Sequence, residues 1–206
     1  MFKQVKFPYI YRMLHPDFIF SVKNDKKKIF LTFDDGPSKE TTDKILDVLG
    51  KFNIKATYFC LGENVEKFPE LYKRISDAGH AIGNHGYHHF NGWKISGATY
   101  IKNVLRSEEI IGSKLFRPPY GKITPKQARI LSEMGFKIIM WDLMSWDFDP
   151  ELSESQIIEK VLKNANTGSI IVFHDNEKTD VRIENILGKI IDSLQKRGFI
   201  FDTINS

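Results

Sequence analysis

The sequence contains a single cysteine, Cys60, among its 206 residues. One thiol can form neither an internal disulfide nor a cysteine-based zinc cluster, so both are excluded. The sequence also lacks a long uninterrupted apolar run, because Pro8 and Arg12 break the one near the N-terminus. Neither a signal peptide nor a membrane-spanning segment is therefore expected. The chain as given is expected to be cytoplasmic by default, and extracytoplasmic if a leader segment has been removed from it.

Strongly biased segments and internal repeats are also absent, and 41% of the residues are hydrophobic. A chain of this length can bury one substantial core, so we predict a main domain over residues 28–206 and an N-terminal extension over residues 1–27. The first 30 residues hold seven lysines and arginines against two aspartates. A basic arm can contact anionic polymers, but the lysines at 26–28 are also typical of a solvated turn, which we favour. We expect no nucleic-acid partner and no stable membrane insertion, and the sequence does not indicate the oligomeric state.

Short apolar runs alternate with amphipathic stretches from residue 28 onward, which is typical of repeated β-α units around a parallel sheet. The pattern predicts seven strands, at 29–34, 55–60, 80–84, 115–117, 136–141, 169–173 and 199–202. It predicts six helices, at 40–52, 64–78, 96–112, 124–134, 153–165 and 181–197. Gly79, Gly135 and Gly198 indicate helix C-termini, and Thr124 and Ser153 indicate helix starts.

Seven parallel strands with six helices fit an α/β fold of the distorted or incomplete (β/α) barrel type better than an open sheet. In parallel β/α folds the active site lies at the C-terminal ends of the strands and in the loops that follow them. Residues capable of catalysis or metal binding should therefore be sought at those ends.

Two adjacent carboxylates, Asp34 and Asp35, end the first predicted strand and open an Asp-Gly-Pro sequence. They repel each other unless a cation or hydrogen-bond donors compensate. Strand alternation would point them in different directions, so that one could bind a metal while the other faces a substrate. Taken alone, the segment is equally consistent with an ordinary turn.

Three of the six histidines lie between residues 85 and 89, after the third predicted strand. His85 and His89 have the i, i+4 spacing that brings two imidazoles on a helical turn to one ion. His88 could replace His89, and a surface cluster without a ligand is the alternative. With Asp35, such a pair would form a set of two histidines and one carboxylate that leaves positions open for water and substrate, as hydrolysis requires.

Three further segments bear polar residues at or just after predicted strand ends. Arg117 precedes a two-proline turn, where its guanidinium could orient a carboxylate and the turn could present a backbone N–H to an oxyanion. Asp147 could pair with a histidine and raise its pKa, and Phe148 beside it could form an apolar wall. His174 ends a continuously apolar strand that could deliver a catalytic group to its tip. Taken singly, each segment is also consistent with a structural role.

In order, these five segments resemble the motifs of the polysaccharide deacetylase family, also called the NodB-homology domain or carbohydrate esterase family 4. The resemblance covers about residues 28–203. It implies that Asp34 is the general base and that Arg117 orients it, while Asp35, His85 and His89 bind the metal. It also implies that the Tyr120 N–H faces the oxyanion. His174 would be the general acid, with its pKa tuned by Asp147. The resemblance further implies that Pro119, Phe148 and Val172 contact the substrate.

The chain departs from the family pattern at three positions, one of them being Val172, where leucine is usual. Gly86 stands where the family has serine or threonine, and Phe148 stands where it has tryptophan. The missing hydroxyl normally steadies the loop of the second motif, so we expect a looser loop or weaker metal binding. Phe148 keeps the apolar wall with a smaller ring.

The resemblance implies a metal-dependent hydrolase that removes acetyl groups, N-acetyl in preference to O-acetyl, from a carbohydrate such as a glycan containing N-acetylglucosamine. The cofactor is expected to be a divalent metal, Zn²⁺ first, with Co²⁺, Ni²⁺ or Mn²⁺ as alternatives. Two other functions stay open: a C–N hydrolase acting on a small amide or cyclic imide, and a carbohydrate-binding protein without catalysis. The intact Asp-Asp-Gly segment argues against the first, and the full set of candidate residues argues against the second.

Overall fold

The computed structural model describes residues 6, 7 and 9–205. The expectations for the N-terminal apolar run and for the basic extension rest partly on residues 1–5 and 8, which lie outside the described residues. No helix within the described ranges is long and apolar enough to cross a membrane.

Within the described residues, eight strands make up the sheet: β1 (Lys28–Asp34), β2 (Thr57–Cys60), β3 (Ala81–Asn84), β4 (Leu115–Phe116), β5 (Lys137–Ile138), β6 (Leu143–Met144), β7 (Ile170–His174) and β8 (Ile200–Phe201). The part of the chain that the structure describes also contains eight helices: α1 (Tyr9–Leu14), α2 (Thr42–Lys51), α3 (Gly62–Lys67), α4 (Pro69–Asp77), α5 (Gly97–Ile111), α6 (Pro125–Glu133), α7 (Glu154–Asn164) and α8 (Ile183–Lys196). Short 3₁₀ turns lie at Pro119–Gly121 and Glu177–Thr179.

The strands pair in the order β5-β4-β3-β2-β1-β7-β6, and β8 pairs with the start of β1. All these pairings are parallel. The two end strands, β5 and β6, are joined by residues 139–142 alone, so the opposite edges of the sheet lie close together. A sheet whose edges approach in this way is curled, which confirms the predicted incomplete barrel.

Three details of the predicted elements were wrong. The strand expected at 136–141 ends after Ile138, and the chain then forms β6 in a segment for which no element was predicted. The helix expected at 64–78 is two helices, because Pro69 cannot continue the first one and instead starts α4. The extension, for which no element was predicted, contains α1.

The predicted helix ends are confirmed by backbone geometry. Gly79, Gly135 and Gly198 follow helices with φ values of 76°, 86° and 81°, in the left-handed region that glycine adopts without strain. Thr124 and Ser153 each form a capping box at the start of a helix. The starts of α6 and α7 are therefore set by local side-chain chemistry.

The N-terminal extension packs against one end of the barrel. Ile19 donates its N–H to the carbonyl oxygen of Ile138 at 2.9 Å and accepts from the N–H of Met140 at 2.8 Å. Ile19 and Val22 also pack against a buried cluster formed inside the barrel by Phe30, Phe59, Leu115, Ile139, Ile170 and Ile204. Apolar packing thus fills the end of the barrel where the strands begin, and the polar residues gather at the other end.

Candidate active site

The polar residues at the strand ends meet because of the strand register. Asp34 at the end of β1 lies opposite His174 at the end of β7. On the other side of β1, Asp34 pairs with Phe59 of β2, whose successor Cys60 pairs with Asn84, the residue before His85. Parallel pairing therefore brings segments that are distant in sequence to one edge of the sheet.

Asp35, His85 and His89 form a group that could hold a metal ion, because one donor atom from each lies within 4.8 Å of the others. Asp35 Oδ1 lies 3.6 Å from His85 Nε2 and 3.3 Å from His89 Nε2. Ligands bound tetrahedrally at about 2.1 Å from zinc are separated from one another by roughly 3.4 Å. The spacing of these donor atoms therefore fits a single cation.

The hydrogen bonds around this group leave its ligand atoms free. His85 donates from Nδ1 to the Arg117 carbonyl oxygen at 2.7 Å, so Nε2 is the ring nitrogen that faces Asp35 and could bind a cation. Asn176 donates to Asp35 Oδ2 at 2.7 Å. Asp35 Oδ1 is buried and has no hydrogen-bond partner among the described residues. A buried carboxylate oxygen without a donor is costly, and a cation at this point would compensate it.

The charge states of these side chains also suit a cation. Burial and the neighbouring His85 lower the pKa of His89 to about 4, so its ring is neutral at neutral pH. Burial alone would raise the pKa of Asp35. The charges of His174, His85 and His89 and the hydrogen bond from Asn176 lower it by more, so the pKa of Asp35 lies below its usual value. Neutral imidazole and ionised carboxylate are the forms that bind divalent metals.

The histidine loop, residues 85–89, is not the helical turn that the i, i+4 spacing had suggested. Gly86 adopts a φ of 86°, and this turn lets His85 and His89 approach with ring centroids 5.1 Å apart. His88, the alternative candidate, points elsewhere: its Nδ1 lies 2.9 Å from Glu63 Oε2 at a site where both side chains are partly exposed.

Arg117 is completely buried at the end of β4 and lies directly beside Asp34. Its NH1 donates to Asp34 Oδ1 and to Thr32 Oγ1, both at 2.7 Å. The other guanidinium nitrogens donate to the carbonyl oxygens of Ile139 and Met140. Asp34 is thus fixed through Oδ1 by the buried guanidinium.

Asp147 and His174 form a second charged pair. His174 donates from its backbone N–H to Asp147 Oδ2 and from Nδ1 to Asp147 Oδ1, both at 2.8 Å. Burial lowers the pKa of His174, but the carboxylates of Asp147, Asp35 and Asp34 together outweigh burial and raise this pKa to about 9, with Asp147 contributing most. His174 therefore carries a proton at neutral pH, and Nε2 is the nitrogen left to donate it.

The residues expected to contact substrate differ in their accessibility. The Phe148 ring lies edge-on against His174, with centroids 4.7 Å apart, and Tyr120 is 59% exposed with its ring 4.3 Å from that of His89. Val172 is completely buried and Pro119 is buried, so neither presents a surface to a substrate. The contact expected of these two residues is therefore not supported, because packing on both faces of the strand encloses Val172.

Three polar residues at the site were not identified from the sequence. Asn176 donates to the Asp35 side chain and Asn64 donates to the Asp35 backbone carbonyl oxygen, each at 2.7 Å. Thr32 accepts from Arg117. Asn176 lies two residues beyond His174 at a predicted strand end, and this position was the one signal that could have drawn attention to it.

The family model for polysaccharide deacetylases matches residues 21–139. The chain belongs to this family. The peptidoglycan-N-acetylglucosamine deacetylase of Bacillus cereus is 40% identical over 196 residues, which span 92% of this chain and 71% of that protein. The solved structure of the Bc1960 peptidoglycan N-acetylglucosamine deacetylase matches with a TM-score of 0.88 at 38% identity, covering 94% of each chain.

Relatives without native activity share the same fold. The structure of a BA3943 mutant, described as a family pseudoenzyme with restored enzymatic activity, matches with a TM-score of 0.80 at 26% identity. The matched region covers 90% of this chain and 69% of the BA3943 chain. Similarity of fold alone therefore does not separate enzymes from inactive relatives, and the residues at the site carry that distinction.

Proposed function

We propose that this polysaccharide deacetylase removes the N-acetyl group from N-acetylglucosamine residues of peptidoglycan or a chemically similar glycan. The observation that carries the proposal is the group formed by Asp35, His85 and His89, which lies beside both Asp34 and the His174–Asp147 pair. The most similar relatives described above, by their names, act on the same sugar of peptidoglycan.

Asp35, His85 and His89 would hold a divalent metal, for which we propose zinc because two imidazoles and one carboxylate suit it. When bound, such a cation would supply Lewis-acid chemistry: it would polarise the acetyl carbonyl and make a water molecule more acidic. Asp34 accepts a proton from the attacking water through Oδ2. Arg117 holds the other oxygen of Asp34 at 2.7 Å and so fixes the direction of the base.

His174 and the turn after β4 complete the proposed reaction. The carbonyl oxygen gains charge as water adds, and we propose that the Tyr120 N–H donates to it. His174 then donates its Nε2 proton to the departing nitrogen. An amine is a poor leaving group without protonation, so a histidine with a pKa of about 9 favours N-acetyl over O-acetyl substrates.

We also propose that residues 1–27 are an extension that stabilises the barrel and that residues 28–206 form the catalytic domain. Arg12 donates to Asp142 at 2.5 Å, and the Phe7 ring packs against that of Trp141 with centroids 5.0 Å apart. These contacts attach the extension to the segment between β5 and β6, on which the curling of the sheet depends.

The proposed function is tested by measuring acetate release from N-acetylglucosamine oligomers and from purified peptidoglycan. We expect turnover with added zinc, loss of turnover after chelation, and recovery when zinc is restored. Peptidoglycan containing only N-acetylmuramic acid as an acetylated sugar, acetylated xylan and a cyclic imide serve as competing substrates. Hydrolysis of the imide without acetate release from any glycan would favour the C–N hydrolase alternative, and zinc binding without hydrolysis would favour the non-catalytic one.

Replacement of His88 with alanine tests which histidine completes the metal group. Because His88 contacts Glu63 and not Asp35, we expect His88→Ala to leave the zinc dissociation constant within about twofold of the wild-type value. His89→Ala is the matched change one residue away, and it should weaken zinc binding at least about tenfold. Competition with a fluorescent chelator measures both constants. The reverse order of effects would assign the ligand to His88.

A further inference from the structure

The histidine loop lacks the hydroxyl that its family pattern would place at residue 86, yet several hydrogen bonds hold it. Asn84 accepts from the Gly86 N–H at 2.7 Å, and the Gly86 carbonyl oxygen accepts from Gly62 at 2.9 Å. Glu63 donates its backbone N–H to the Tyr87 carbonyl oxygen at 3.2 Å. These bonds hold the first half of the loop, and none of them reaches the second half.

In the second half, the Phe90 N–H donates to the His88 carbonyl oxygen at 2.7 Å, and one side chain of α5 bonds to both backbone groups of His88. Asn103 accepts from the His88 N–H at 2.8 Å and donates from Nδ2 to the His88 carbonyl oxygen at 2.9 Å. Its own backbone carbonyl oxygen accepts from the Tyr87 N–H at 3.2 Å. Asn103 therefore forms hydrogen bonds with both the N–H and the carbonyl oxygen of His88, the residue that precedes His89. It is 7% exposed, so water competes little for these hydrogen bonds.

Gly86 and Asn103 occupy neighbouring space. A Cβ atom built on Gly86 would lie 2.7 Å from Asn103 Nδ2 and 3.1 Å from the His88 carbonyl oxygen. The φ of 86° at Gly86 is also one that residues with a side chain rarely adopt. The Asn103 amide can thus reach His88 in this way because residue 86 has no side chain.

We propose that Asn103 is a positioning residue for the metal site, and that it holds the histidine loop in place of a serine or threonine hydroxyl at position 86. Its effect passes through the backbone of His88 to the orientation of the His89 ring. Outer groups that orient metal ligands commonly contribute 10- to 100-fold to metal affinity. The role rests on the proposed metal site, because it concerns how firmly that site holds a cation.

Zinc affinity of the metal-free protein tests this role without relying on turnover. We expect Asn103→Ala to raise the zinc dissociation constant about 10- to 100-fold in competition with a fluorescent chelator. Ser107→Ala is the matched control, because Ser107 lies one turn further along α5, is buried, and has no hydrogen-bond partner for Oγ among the described residues. It should leave the zinc constant unchanged. Circular dichroism of each metal-free variant establishes that it is folded before zinc is added.

A double-mutant cycle adds a measurement that a general loss of packing would not reproduce. Gly86→Ser alone should weaken zinc binding, because the new Cβ collides with Asn103 Nδ2. Adding Asn103→Ala removes that collision. We therefore expect the zinc dissociation constant of the double variant to be about tenfold lower than the value obtained by multiplying the two single-variant increases. Independent effects at the two positions would contradict the coupling.

The outcomes separate this role from the metal site itself. If the wild-type protein binds no zinc, the proposed metal-dependent function fails. If the wild-type protein binds zinc and Asn103→Ala binds it equally well, the positioning role fails and the function stands. A loss of affinity in Ser107→Ala as large as that in Asn103→Ala would also overturn the role, since any disturbance of α5 would then suffice.

Discussion

Replacing Asp34 with asparagine is expected to lower kcat by about 10²–10⁴-fold while leaving zinc binding intact. Asparagine has the same shape and keeps an oxygen that accepts from Arg117, but it cannot take a proton from water. Asp34 is not among the three residues whose donor atoms converge on one point, so the metal group keeps all its members. Initial rates of acetate release give kcat, and elemental analysis gives the zinc content.

The same change also removes the carboxylate that lies 2.7 Å from the buried Arg117. Removing one member of a buried ion pair can lower the free energy of unfolding by about 3–5 kcal/mol. Rates are therefore compared per folded molecule, at a temperature well below the unfolding transition of the variant. Asp47→Asn on the exposed face of α2 is the matched control for the change in charge. Near wild-type kcat in folded Asp34→Asn would remove Asp34 as the base.

The strand ends were predictable because parallel β/α units impose a strong pattern on the sequence. Apolar runs locate the strands, and the residues just after them must lie at one edge of the sheet. The pattern therefore predicts that Asp34, His85, Arg117 and His174 lie in one region. This prediction needs only the order of the elements and their approximate ends, and it tolerates errors of a residue or two in their bounds.

The strand β6 and the curvature of the sheet were not predictable in this way. Leu143–Met144 is only two residues long and follows an aromatic, acidic segment, so it has no alternating or continuous apolar pattern. Its pairing with β7 follows from the closeness of the two edges of the sheet. That closeness is a property of the whole sheet. The break before Pro69, by contrast, was visible in the sequence, since proline is favoured in the first turn of a helix.

The conformation of the histidine loop could not be read from its spacing. The i, i+4 relation of His85 and His89 fits a helical turn, but an irregular loop with glycine at a φ of 86° brings the rings together equally well. The groups that select the irregular loop lie elsewhere in the sequence: Asn103 is 15 residues from His88. Asn176 is likewise 141 residues from Asp35, to which it donates. The local sequence pattern identifies which residues could bind a metal, and contacts with residues distant in sequence determine how those residues are arranged.

Replacing Asp147 with asparagine is expected to lower kcat about 10²-fold at pH 8 and to change its dependence on pH. The carboxylate raises the pKa of His174 against the effect of burial, to about 9. Without the Asp147 carboxylate, fewer negative charges oppose the effect of burial, and the pKa of His174 falls toward or below the ordinary histidine value of about 6.5. A change from 9 to 6.5 lowers the protonated fraction at pH 8 about 30-fold, and the lost orientation of the ring adds to this.

The pH profile of kcat distinguishes a tuned acid from a structural histidine. For the wild-type enzyme we expect activity to fall as the pH rises through the pKa of His174, because the proton needed by the leaving amine is then absent. A bound cation opposes the charge on His174, so this limb lies at or below about pH 9 in the metal-loaded enzyme. In Asp147→Asn the limb should move to lower pH, and activity should recover partly as the pH is lowered.

His174→Ala completes the comparison, because it removes the acid itself. We expect it to lose about 10²–10⁴-fold in kcat at every pH, with no alkaline limb from this group and no recovery at low pH. If Asp147→Asn and His174→Ala gave the same profile, Asp147 would act only by holding the ring in place. If both kept the wild-type limb, the proton would come from another group, and the assignment of His174 as the acid would be wrong.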